Sequence, residues 1–493
     1  MNAGTRPVVV LPLDDRPVNT KDVLLAAQAA SSQAILPPRE MLPPRGVASD
    51  VAEIHNWLLS RADGTQDYVI SINQLLFGGY VASRRTTSDI ASVLGGLEVI
   101  AEIRKRAPES HISAHMTVMR TKDINDGGAE PEYWSDYGVS FGALSREIYR
   151  AEHGLTAEAD SVRPEIPEAY VQDYLQRRLR LATVHYALIS MVGDGIIDDL
   201  AFLVEDSTPQ SLSSTERELI DLWISRLALG EKVQCLPGAD EAGASFTMRA
   251  ILRQRCIRPK VFVECSNPAT LETVAQYEDV PLRNTVAQQL WMAGASEIDS
   301  AQDADLVLVI HPPAPTPHDW CRKPREEPAP ADVAGTVSAI RSELELGRRV
   351  AVVDLAYANG SDPELVSALN DASLLYELSG YAGWNTAGNS IGSAVVQGCA
   401  ATVGKDSTAN VTQKHLLTRR VLDEGAYQAD KRRRYLQAEI DPGDSEHLEA
   451  ELIEVLGSLQ SDFHKFELKP GSTKWPWLRA FEIDFDLQKR KSE

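Results

Sequence analysis

Time after time along this chain a short apolar run ends in a polar loop bearing Gly, Pro, Asn or Asp, and a helical stretch follows. No other feature limits the fold as tightly. Pro7–Val10 runs into L-P-L-D-D-R-P-V-N, Tyr68–Ile72 into N-Q-L-L-F-G-G-Y-V-A-S-R, Val233–Leu236 into P-G-A-D-E, and Arg349–Val353 into D-L-A-Y-A-N-G. Short β-branched runs flanked by breakers read as buried strands. Parallel α/β folds bring the carboxyl ends of their strands to one side, where the following loops converge. The repetition therefore predicts an α/β fold of strand–loop–helix units with one site built from many loops. About eight strong strands with one or two weak ones fit a closed (β/α)8-like barrel, the preferred reading. Two doubly wound halves are the alternative.

The 493 residues exceed one small core. The α/β domain is expected over 1–410, with an insertion at about 125–195 that begins polar and Gly-rich and continues as a long charged helix. A mostly helical C-terminal extension is expected over 411–493, where the basic run Lys431–Arg434 reads as a solvated helix face. With 49 basic against 71 acidic side chains, the net charge of −22 leaves no electrostatic footprint for nucleic acid or an anionic membrane. No apolar run approaches a membrane span, and the first residues show no signal-peptide core. Five scattered cysteines (Cys235, Cys256, Cys265, Cys321, Cys399) without a C-x-x-C pair fit a reduced, cytoplasmic protein and argue against a thiolate metal site.

The first motif is the richest. Asp14 and Asp15 are adjacent carboxylates that repel each other, and Arg16 relieves part of that cost. Asn19 or Thr20 is placed to cap the helix that begins near Lys21. A glycoside hydrolase needs two carboxyl groups about 5 to 9.5 Å apart across the scissile bond. Strand ends supply Asp14, Asp15, Asp206, Asp240 and Glu241 as candidates, with Asp15 and one of Asp240 or Glu241 expected as the working pair. Arg16, Asn73, Arg84, Glu205, Asn267, Tyr357, Asn359, Trp384, Asn385 and Asn389 have the character of substrate-binding residues. Trp384 offers an apolar face to a sugar ring; the plainer alternative is that it fills space between helices.

Two other chemistries stay open. Clustered acids with Asn could hold a hard divalent cation for a metal-dependent hydrolase. The histidines are spread apart, including His55, His111, His115, His311 and His318, with no H-x-H or H-E-x-x-H arrangement, and His311 at a strand end is the one to watch. The same strand-end groups would also serve a non-catalytic sugar-binding protein. No G-x-x-x-x-G-K-[ST] or G-x-G-x-x-G follows a strand, so nucleotide binding has little support.

Taken together, the motifs resemble those of a bacterial family of unknown function. Its members open with P-L-D-[DE]-R-P-x-N and continue with Y-G-G-L-x-x-S-R, D-D-x-x-x-x-G, P-G-A-D-E, Y-A-N-G and W-N-T-x-G-N. In this chain the motifs fall on Leu13–Asn19, Phe77–Arg84, Glu205–Pro209, Pro237–Glu241, Tyr357–Gly360 and Trp384–Asn389. The resemblance implies membership rather than a reaction. It also implies an acid where this chain has Asn73, and Asp-Asp-x-x-x-x-Gly where it has Glu205-Asp206 and lacks the glycine. If either position carries chemistry, activity here is altered or lost. The expectation is thus a hydrolase of a small carbohydrate derivative, with no cofactor and with a divalent cation only under the metal-dependent alternative.

Overall fold

The computed structural model describes residues 6–155, 165–205, 209–313, 332–437 and 443–490. Six strands form one parallel sheet: β1 (Val8–Leu11), β2 (Ala34–Ile35), β3 (Asp67–Ser71), β4 (Ile112–Val118), β5 (Asp199–Val204) and β6 (Val233–Pro237), in the order β2-β1-β3-β4-β5-β6. Five more form a second parallel sheet: β7 (Lys260–Cys265), β8 (Ser296–Ile298), β9 (Leu306–His311), β10 (Val350–Asp354) and β11 (Gly380–Ala382), in the order β11-β10-β9-β7-β8.

The α/β class and the helical C-terminal region are as expected, and of the two architectures it is the doubly wound pair that forms. The closed barrel does not: β2 and β6 edge one sheet, β8 and β11 the other. Strands apolar on both faces look the same in either case, so their pattern alone could not choose. Both sheets share one winding. The second strand in sequence lies on one side of the first and all later strands on the other, which puts a switch point between β1 and β3 and another between β7 and β9. Ligands of open α/β sheets bind outside the strand carboxyl ends at such points.

Period-two alternation sets the layers. Val8 and Val10 face a core between the two sheets, while Val9 and Leu11 face a core on the far side of the first. Likewise Leu306, Leu308 and Ile310 point between the sheets, and Val307 and Val309 point outward. The central core is filled by helices Lys21–Ala29, Ala242–Gln254, Leu282–Ala293 and Ala387–Val403. The last is rich in small residues because it comes close to backbone: a Cβ on Gly388 would lie 2.5 Å from the Pro237 carbonyl oxygen.

The insertion between β4 and β5 packs on the outer face of the first sheet. Its helices Trp134–Glu152 and Glu168–Gly193 meet through Trp134, Phe141 and Tyr174, with ring centroids 4.8 to 5.4 Å apart. The C-terminal region covers the outer face of the second sheet with helices and closes with an antiparallel ribbon of Phe466–Leu468 and Leu487–Lys489. Between those two strands the chain reaches back over the ends of the sheets. Among the described residues no helix is long and apolar enough to cross a membrane.

Candidate active site

Loops from both sheets and the returning C-terminal segment enclose a cleft of about 470 Å³. The turn after β1 gives it Arg16, the loop after β5 Glu205, the turn after β6 Asp240, and the loops after β10 and β11 Asn359 and Asn385. Residues 120–129 after β4 form one wall, and Trp477, Arg479, Ala480 and Phe481 form another.

Arg16 is the hub, only 3% exposed. Its Nε and Nη2 donate to Asp14 Oδ2 at 2.9 and 2.7 Å, Nη1 donates to Asp240 Oδ2 at 3.1 Å and Glu482 Oε2 at 3.3 Å, and Nη2 also pairs closely with Asp240 Oδ1. Burial alone would lower the guanidinium pKa, but Asp14, Asp240 and Glu482 outweigh it and hold the charge firmly. Asp14 is committed to this task. Its Oδ1 accepts from the Arg16 amide and from Asn19 Nδ2, both at 3.0 Å. Asn19 therefore fastens Asp14, and the helix at Lys21 starts with no side-chain cap from Thr20.

Asp15 points the other way, into a small depression between Leu42–Val47 and Gly78–Ala82. Trp477 Nε1 donates to its Oδ1 and Arg39 Nη2 to its Oδ2, each at 2.6 Å. Burial raises its pKa, Asp14 adds to the rise, and Trp477 and Arg39 oppose it.

Asp240 opens into the cleft. Asn385 Nδ2 donates to its Oδ2 at 3.1 Å, and its own amide donates to Asn389 Oδ1 at 2.9 Å. W-N-T-A-G-N of the second sheet is thereby docked on P-G-A-D-E of the first. Burial raises the Asp240 pKa, Arg16 opposes, and Asp14 and Glu482 add to the rise. Asn359 and Asn385 both hold left-handed backbone, φ 61° and 69°, and the Asn359 amide donates to the Asn385 carbonyl at 3.0 Å. Asn tolerates that region better than most residues.

Glu205 faces the cleft above a buried charge square. Arg120 Nη1 lies 3.0 Å from its Oε1 and Arg84 Nη2 closer still, while Glu130 takes Arg120 at 2.8 Å and Arg84 at 3.3 Å. Arg84 acts from beneath, stacked 4.0 Å over the Tyr80 ring.

The other sequence candidates lie elsewhere. Glu241 folds back under its own turn, accepting from Ala239 N at 3.0 Å and Gln289 Nε2 at 2.6 Å, and burial pushes its carboxyl up to about 8. Gly238 is required there, because its φ is +110° and a Cβ would run into the Glu241 carboxylate. Asn73 is buried, held by Ser83 at 3.0 Å and by the Thr117 hydroxyl and amide at 2.8 and 3.0 Å. Asn267 is exposed and caps the short turn Pro268–Glu272. Tyr357 lines a smaller hollow beside Asn385 and Thr386. Trp384 packs against Phe481, centroids 5.4 Å apart, and is absent from the cleft lining. Asp206, His318 and Cys321 lie outside the described residues. His311 is fixed between Thr336 at 2.9 Å and Asp362 at 3.3 Å, and His115 is core against Phe246.

The groups that sequence reasoning missed are mostly basic or aromatic: Arg45, Arg120, Lys122, Arg432, Trp477 and Phe481. The run Lys431–Arg434 is not simply a solvated face, because Arg432 is 6% exposed and stacks 4.7 Å over Phe481. The one signal for it was a basic run next to an aromatic tail. Glu278 was missed as well; it is buried and accepts from the Gly388 amide at 2.5 Å, anchoring the start of helix Ala387–Val403.

For a cation, the relevant fact is that Asp14, Asp240 and Glu482 converge on a guanidinium rather than on a void. Among the described residues no group of three His, Cys, Asp or Glu side chains is arranged to hold a metal ion. No curated protein matches the chain. The family model described as "Protein of unknown function (DUF4127)" matches residues 8–486, nearly the whole chain, so the protein belongs to that family.

Proposed function

We propose that the cleft binds a small carbohydrate derivative and hydrolyses it, with Asp240 as the proton donor and Glu205 as the carboxylate that meets positive charge at the reacting carbon. The carrying observation is that Asp240 faces the cleft, with burial raising its pKa and Arg16 and Asn385 fixing its direction. A buried carboxyl whose pKa is raised can pass a proton to a leaving oxygen as the C–O bond breaks. Glu205, set against Arg84 and Arg120, supplies negative charge for an oxocarbenium-like transition state, and water completes the hydrolysis. Asn359 and Asn385 offer amides to hydroxyl groups, and Tyr80, Tyr277, Trp477 and Phe481 line the cleft with aromatic rings.

This assignment keeps Asp240 from the pair expected from sequence and moves its partner from Asp15 to Glu205. The free cysteines Cys235, Cys256, Cys265 and Cys399 suit a reduced cytoplasmic setting. One observation favours a second reading, that of a non-catalytic binding protein: Asp240 and Glu205 both already have guanidinium partners. The test is turnover of a panel of p-nitrophenyl glycosides, neutral and charged, by the parent and by Asp240→Asn. A substrate cleaved by the parent and still bound, but cleaved at least about a hundredfold more slowly, by the variant supports the hydrolase. Equal turnover by both refutes Asp240 as donor, and binding without turnover by the parent favours the binding protein.

A further inference from the structure

In a chain of net charge −22 the cleft is lined by six cationic side chains, Arg16, Arg45, Arg120, Lys122, Arg432 and Arg479. Four have carboxylate partners. Arg16 serves Asp14, Asp240 and Glu482; Arg120 serves Glu130 and Glu205; Lys122 meets Asp126 at 3.2 Å; and Arg479 meets Glu482 at 2.8 Å. Among the described residues, Arg45 and Arg432 have no carboxylate within ion-pair distance.

Arg432 is 94% buried yet lines the cleft; its Nη1 reaches only the neutral Gln428 side chain at 3.3 Å, and its Nε has no hydrogen-bond partner. The Arg45 Nε is likewise without a partner. The cations are also crowded together. Arg16, Arg45 and Arg479 stand 4.8, 5.9 and 4.6 Å from the Trp477 ring, and Arg479 and Arg432 stand 4.8 and 4.7 Å from Phe481. Burial lowers the pKa of Arg45, with Arg479, Arg85 and Arg120 adding to the drop and Asp126 opposing it. Aromatic faces soften such crowding without neutralising it. A guanidinium presents a planar fork of N–H donors that matches an oxyanion, and it holds its charge in a site of this kind.

The geometry points to a substrate that carries an oxyanion, a phosphate or carboxylate group, held by Arg45 beside Trp477 and Arg432 beside Phe481, with Lys122 and Arg479 also lining the cleft. This rests on the cleft being the ligand site of the proposed function and narrows the substrate to an acidic or phosphorylated sugar derivative. The neutral part then lies toward Asn359, Asn385 and Asp240, and the anionic part lies toward the C-terminal segment.

The experiment is a set of binding titrations and melting curves on the full chain at constant ionic strength. The probes are inorganic phosphate, acetate, glucose, glucose 6-phosphate and glucuronate, with chloride as the reference salt. The proteins are the parent, Arg45→Gln, Arg432→Gln and Asp240→Asn. The parent is expected to bind one of the charged sugars at least tenfold more tightly than glucose, and each arginine variant is expected to lose most of that preference. Arg45→Gln, at a half-buried position, keeps the test usable if Arg432→Gln fails to fold. Preference for phosphate and glucose 6-phosphate identifies a phosphoryl group, and preference for acetate and glucuronate identifies a carboxylate. No preference over chloride and glucose, or a preference unchanged in the arginine variants, overturns the inference. Asp240→Asn separates the two proposals: an anion preference that persists there, with no turnover in the parent, upholds the oxyanion site and removes the hydrolase. Turnover of neutral glycosides without any anion preference does the reverse.

Discussion

The guanidinium of Arg16 holds together three carboxylates that would otherwise repel one another. Asp14 is fixed within its own turn, Asp240 arrives from the other end of the first sheet, and Glu482 comes from the C-terminal segment. Losing one member of such a buried cluster leaves charge uncompensated. Trp384 is a different case. It carries the appearance of a sugar platform, yet it is 6% exposed, it packs against Phe481, and its Nε1 has no hydrogen-bond partner. Trp384→Ala should therefore cost about 3 to 5 kcal/mol of stability, read by denaturant unfolding, with ligand binding failing only as the fold fails. Unchanged stability with lost binding would restore the platform.

Among the elements, the π-helical stretch Asp423–Lys431 leads directly into Arg432 of the cleft. It lies between helix Ser407–Leu422 and Arg432, and through Glu424 it accepts from the Gly383 amide at 2.7 Å. Its backbone at Gln428 lies so close to Gly360 that a Cβ there would sit 2.9 Å from the Gln428 carbonyl oxygen. Gly360→Ala should force the two segments apart at a cost of about 1 to 3 kcal/mol, seen as a lower melting temperature. A variant as stable as the parent would show that the contact is slack. Here lies the boundary of what the sequence could convey. Asp240, Asn359 and Asn385 were legible because each follows an apolar strand, and strand ends are where parallel sheets present their groups. Arg45, Trp477 and Arg432 do not sit at the end of an apolar strand. They reach the cleft because distant segments fold back over it, and no local pattern marks such a return.

For the molecule as a whole, two sheets with the same winding share one helical layer, so their strand ends meet at a common cleft. The sequence showed the strand–loop–helix units but could not say whether the sheet closed or split, because strands apolar on both faces look the same in either case. The same burial shapes the dependence of stability on pH. Burial pushes Glu241 up to about 8 and Glu278 up to about 7, from the usual 4.5. The folded chain thus keeps protons that the unfolded chain releases. The stability this contributes is complete below about pH 4.5 and is lost as pH rises through 7 to 8. Glu241→Gln should flatten the fall in melting temperature between pH 5 and pH 8.5. An unaltered slope would mean that Glu241 is ionised in the folded protein.

A proton passed from Asp240 to the leaving oxygen would make the loss on its substitution depend on the leaving group. For a glycoside that the parent cleaves, kcat/KM of the parent and of Asp240→Asn is compared between an alkyl aglycone and a 2,4-dinitrophenyl aglycone, whose departure needs no proton. A donor role for Asp240 predicts a deficit of about 10² to 10⁴ for the alkyl glycoside that shrinks to a few-fold for the dinitrophenyl one. An equal deficit for both leaving groups, or no deficit for either, would contradict it.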